Sequence, residues 1–100
     1  MAIYQTAHYQ IRPEAVEKVT TAIKKFVSYV RDQEPGTVMY RAWQQADDPT
    51  RFVHLFEFRD EAAQQLHGQS AAVREFEASY RPELIDGPVQ FVDYLQVDTN

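Results

Sequence analysis

Three side chains in this sequence combine proton-moving chemistry with aromatic neighbours. His54 alternates with Phe52, Phe56 and Phe58. In a strand that alternation puts all four on one face. Imidazole titrates near neutral pH, so a His among rings is a candidate general base for an aromatic substrate. His67 follows Leu66 in a helix-like stretch and is the second candidate base. Tyr40 shares parity with Val38 and Ala42 and points toward the same side. Its phenol can bond a substrate oxygen. Tyr9, Phe26, Phe56, Phe58, Phe76 and Tyr80 are placed to line the same space. Each residue also has a plain structural reading. His54 is then a satisfied core histidine, His67 a half-buried one at a helix kink, and the rings are core.

Other chemistries lack their residues. There are no cysteines, which excludes disulfides, thiolate metal sites and thiol nucleophiles. Three His and scattered carboxylates show no metal-ligand spacing, so no metal is expected. No nucleophile elbow or glycine-rich phosphate loop occurs. The net charge of −5 argues against nucleic acid, which needs a basic face. No apolar run reaches membrane-spanning length, and the start lacks a signal-peptide pattern. The expectation is a cytoplasmic protein with no membrane partner.

The elements that must position these groups fit one domain over residues 1–100. Ile3 to Ile11 alternates as a strand. Pro13 suits the first position of a helix that runs to about Asp32. Val16, Val19, Ile23, Phe26, Val27 and Val30 make its apolar stripe. Glu34-Pro35-Gly36 stops it. Thr37 to Gln45 and Arg51 to Phe58 read as strands joined by the polar turn Ala46 to Thr50. Asp60 caps a second helix, Gly68 weakens its middle, and Ser70 caps a restart bearing Val73, Phe76 and Tyr80. Pro82 ends that segment. Asp86-Gly87-Pro88 reads as a turn before a last strand, Val89 to Val97.

The order β-α-β-β-α-β is the ferredoxin-like pattern, an α+β fold. Its antiparallel sheet, in the order 4-1-3-2, carries both helices on one face. The other face bears Met39, Arg41, Trp43, Val53 and Leu55, with His8 facing the same partner side or an edge. That face is too apolar for water, which predicts a homodimer. Trp43 belongs inside the dimer barrel.

Several short motifs occur in a familiar order. Glu34-Pro35-Gly36 precedes Tyr40, followed by Asp47-Asp48-Pro49-Thr50-Arg51-Phe52-Val53, Phe58-Arg59-Asp60-Glu61-Ala62-Ala63, His67 and Ser70. From Ile3 to Val97 the chain resembles the antibiotic biosynthesis monooxygenase (ABM) family, which is similar to small quinol monooxygenases. The resemblance implies a dimeric αβ-barrel with a pocket between sheet and helices in each subunit. It also implies oxidation of a quinol or a phenolic polycyclic aromatic by O2, in several members with no metal or organic cofactor. His67 matches the family's histidine on the second helix. Phe58 stands where a Trp is common, and Ala71-Ala72-Val73 replaces a frequent Pro and aromatic. The haem-degrading branch has Asn, Trp and His where this chain has Ala7, His67 and the Phe76-Glu77 region, so the resemblance argues against haem degradation. The expected function is a cofactor-independent monooxygenase acting on a small aromatic substrate. The alternative is a non-catalytic binding or dimerisation module of the same fold.

Overall fold

The alternation of Ile3–Ile11 forms the strand β1, on which the rest of the sheet is built. In the computed structural model, which describes residues 1–100, β1 lies between β3 (Asp48–Phe58) and β4 (Leu84–Tyr94). Both pairings are antiparallel. β2 (Thr37–Gln45) pairs with the outer edge of β3, giving the order β2-β3-β1-β4. This is the ferredoxin-like α+β arrangement read from the sequence. The register puts Ala7 opposite His54 and Tyr9 opposite Phe52. A shift of one residue would turn the aromatic face to the other side.

Pro13 opens a short 3-10 turn, Pro13–Ala15, which leads into α1 (Val16–Gln33). Val19, Ile23, Phe26 and Val30 of α1 are buried against the sheet's even-numbered β3 face. Fully burying side chains of this size contributes roughly 1.5–3 kcal/mol each. The second helical segment is two helices, α2 (Glu61–Gln69) and α3 (Ala71–Tyr80). Gly68 stays helical and the break falls at Ser70. Ser70 is extended there, and its Oγ accepts from the Val73 amide at 3.1 Å. Asp60 caps α2 in the same way through the Ala63 amide at 2.9 Å.

Two sequence expectations are corrected. The loop between β2 and β3 is only Ala46-Asp47, because β3 starts at Asp48. The extra residues are absorbed as a register shift between Gln44 and Gln45, where Thr50 is buried and bonded to Asp48 and Gln10. The last strand runs over Leu84–Tyr94, not Val89 to Val97. Asp86 and Gly87 have φ of 59° and 95° but lie within the strand as an irregularity, between the pairs Gln10–Ile85 and His8–Gln90. Left-handed residues serve a bulge as readily as a turn.

Trp43, Val92 and Tyr94 are exposed on the sheet face away from the helices. His8 is exposed on that face and bonds the Thr6 hydroxyl at 2.8 Å.

Candidate active site

The helix-facing side of β3 and the helices over it enclose a cavity of about 260 Å3. β1, β2 and β3 supply Tyr9, Tyr40, His54, Phe56 and Phe58 to its wall. Phe26 comes from α1, His67 from α2, and Phe76 and Tyr80 from α3. All nine residues singled out in the sequence therefore line one space. The size lies just below the usual range for a ligand pocket, roughly 300–1,000 Å3. A larger cleft of about 490 Å3 beside His8, Trp43 and Arg51 touches none of His54, His67 or Tyr40. The chemistry-bearing groups favour the smaller cavity.

Tyr40 stacks on Phe56 with ring centres 5.2 Å apart, and Phe26 on Phe76 at 5.0 Å. The His67 ring lies 5.1 Å from Phe58 and 5.8 Å from Tyr40. Such packed rings have few other places to go, so they fix the imidazole's plane.

His54 is 1 % exposed. Tyr9 Oη lies 2.8 Å from its Nε2, and Tyr40 Oη 2.7 Å from its Nδ1. Burial holds His54 down to a pKa of about 4, so it is neutral near pH 7. Burial pushes the Tyr9 and Tyr40 phenols up, first by desolvation and then by neighbouring tyrosines. The three groups form a neutral hydrogen-bonded chain along the cavity wall.

His67 is arranged differently. Its Nδ1 lies 2.7 Å from Oε1 of Glu34, and that oxygen also accepts from the Thr37 hydroxyl at 2.8 Å. The two side chains are only 13 % and 10 % exposed. Oε2 of Glu34 is buried with no partner. With Nδ1 engaged, Nε2 is the nitrogen of His67 left for a ligand. A base oriented by a third group is the usual arrangement for proton abstraction.

Glu34 was read from the sequence as part of a helix stop, and its contact with His67 was missed. The only signal was an acidic residue placed before Pro-Gly. Gln5, Gln64 and Glu77 add polar groups to the cavity and were also missed. Nowhere do three His, Asp or Glu side chains gather as metal ligands.

The family model described as Antibiotic biosynthesis monooxygenase matches residues 2–79. The chain belongs to this family. Among relatives of the ABM chain, the Bacillus subtilis (strain 168) protein named "Putative monooxygenase YcnE" is 28 % identical over 86 residues, covering 86 % of this chain and 88 % of that one. The structure of Rv0793 from Mycobacterium tuberculosis superposes with a TM-score of 0.86 at 20 % identity, covering 99 % of this chain and 98 % of that one. PA3566 from Pseudomonas aeruginosa gives 0.85 at 20 % identity, with 97 % and 95 % covered. At such identities these two structures bear on the fold alone. The ABM match ends at residue 79, so α3's last residue and all of β4 lie beyond it.

Proposed function

We propose that this ABM-family chain is a monooxygenase for a small hydroxylated aromatic, a quinol or related phenol. O2 is the co-substrate and no metal or organic cofactor takes part. One observation carries the reading: an oriented base, His67 on Glu34, and a phenol donor, Tyr40, border the same aromatic cavity.

Nε2 of His67 takes the substrate's hydroxyl proton. The Glu34 carboxylate stabilises the imidazolium so formed through a charge-assisted hydrogen bond. Tyr40 donates to the phenolate oxygen. Ionisation makes the ring electron-rich enough to pass one electron to O2, and the two radicals join as a carbon–peroxide bond. Loss of water then leaves one oxygen atom on the ring. For a quinol the balance is quinol plus O2 giving a hydroxyquinone plus water. The substrate supplies all four electrons, and His67 returns its proton to the departing hydroxide. Phe26, Phe56, Phe58 and Phe76 exclude bulk water from the intermediates. His54 acts through Tyr40 rather than as the base, because both its nitrogens are occupied. A second copy covers the exposed sheet face, and the dimer works in the cytoplasm.

The test is oxygen uptake by metal-stripped protein over a panel of hydroquinones and anthrones. Uptake above autoxidation, falling by roughly a hundredfold in His67→Ala, is expected for loss of a general base. Uptake at the autoxidation rate across the panel would instead make the cavity that of a binding module.

A further inference from the structure

The hydrogens on the His54 chain do not balance within the protein. Neutral imidazole carries one N–H and one bare nitrogen. Each nitrogen has a tyrosine hydroxyl beside it. One tyrosine donates to the bare nitrogen. The other accepts from the N–H, and its own O–H is left over. Neither hydroxyl has a second hydrogen-bond partner in the protein. A buried donor left unmatched is costly, and both tyrosines line the cavity.

The two possible exits differ. Tyr9 is stacked between Phe52, at 5.5 Å, and Tyr80, at 5.2 Å. Tyr9 is buried, while Tyr40 is part-buried. Tyr40 lies beside His67, with ring centres 5.8 Å apart, so a hydrogen turned from Tyr40 into the cavity lies on the side of the proposed base. We propose that Tyr9, acting through His54, turns the hydroxyl hydrogen of Tyr40 into the cavity, making this wall selective for aromatics that present a phenolate or carbonyl oxygen. Tyr9 donates to Nε2, Nδ1–H donates to Tyr40, and Tyr40 donates to the ligand. Each bond polarises the next. Tyr9 is thus a positioning residue that acts without touching the ligand's oxygen. The titratable groups around the chain are Tyr80 and Glu77 on α3, His67 on α2 and Glu34 at the end of α1.

This inference deepens the monooxygenase reading and rests on it. Its test uses 4-nitrophenol, whose ionised form absorbs visible light and whose ionisation lies near neutral pH. The full-length protein is titrated with the probe across pH, as wild type, Tyr9→Phe and Tyr40→Phe. Phe keeps both rings in place, and thermal melts check the fold of each variant. Wild type is expected to ionise the bound probe at lower pH than the free probe. Both variants are expected to weaken phenolate binding by roughly tenfold or more, because Tyr40→Phe removes the donor to the charged oxygen and Tyr9→Phe lets the Tyr40 hydroxyl turn back onto His54. Neutral phenol binding falls less, so the bound probe's pKa rises by about one unit. A Tyr9→Phe protein that ionises the bound probe as wild type does would overturn the inference and leave the monooxygenase reading standing. A wild-type protein that does not bind the probe would overturn both.

Discussion

His67 and Glu34 are 33 residues apart in sequence, yet their side chains meet at 2.7 Å. The contact joins the C-terminal cap of α1 to the last turn of α2, in a part-buried position. Thr37 fixes the shared carboxylate oxygen from a third direction. The base of the proposed reaction is therefore aimed by a residue that does not border the cavity.

Glu34→Gln keeps the shape of the side chain and removes its charge. A hydrogen bond to a charged group contributes roughly 1.5–3 kcal/mol. Lost only when His67 is protonated, it lowers kcat by roughly tenfold to a hundredfold with little change in KM. Steady-state oxygen uptake on a turned-over quinol measures both constants. An equal rise in KM with kcat unchanged would remove Glu34 from the proton transfer.

His54 makes stability depend on pH in a defined window. Its folded pKa of about 4 lies below its unfolded value of 6.5. Between these values the unfolded chain binds more protons, so stability rises with pH there. The contribution is fully present above pH 6.5 and is lost as pH falls toward 4. The total amounts to about 3 kcal/mol. Urea denaturation from pH 4 to 7 should show this slope, and His54→Gln should flatten it. Asp48, Asp60 and Glu83, held low by hydrogen bonds and ion pairs, add their own losses at more acid pH.

Gly36 sets how closely α2 approaches the end of α1. A Cβ there would lie 2.6 Å from Cβ of Ala63, well inside van der Waals contact. Gly36→Ala is expected to destabilise by about 1–3 kcal/mol through overpacking. It also pushes α2, and His67 with it, outward. Adding Ala63→Gly should recover part of the loss, less about 1 kcal/mol for glycine in a helix. Thermal melts of the two single variants and the double variant read the coupling. Strict additivity would mean that the two positions do not press on each other.

The exposed face of the sheet carries Trp43, Val92 and Tyr94 beside Val53 and Leu55. If a second copy covers it, Leu55→Glu yields a monomer and wild type a dimer in sedimentation velocity. A monomeric wild type at micromolar concentration would count against the dimer.

The sequence was most informative where a period was involved. Phe52, His54, Phe56 and Phe58 share a face because strand side chains alternate, and nothing in the fold overrides this. The stripe of α1 and the caps at Asp60 and Ser70 were legible for the same local reason. The chain through Tyr9 and Tyr40 was not. It depends on the register of three strands, which a single sequence does not specify. Glu34 was hidden because its partner sits a whole hairpin away. Asp86-Gly87 misled because one backbone conformation ends some strands and merely bends others.

The break at Ser70 divides the roof of the cavity into two separately anchored plates. One carries His67, the other Phe76 and Tyr80. Asp60 caps one plate at its start, and Ser70 both ends it and caps the other. A substitution that alters the outline of the binding space at Phe76 or Tyr80 therefore falls on a different helix from the one that carries the base.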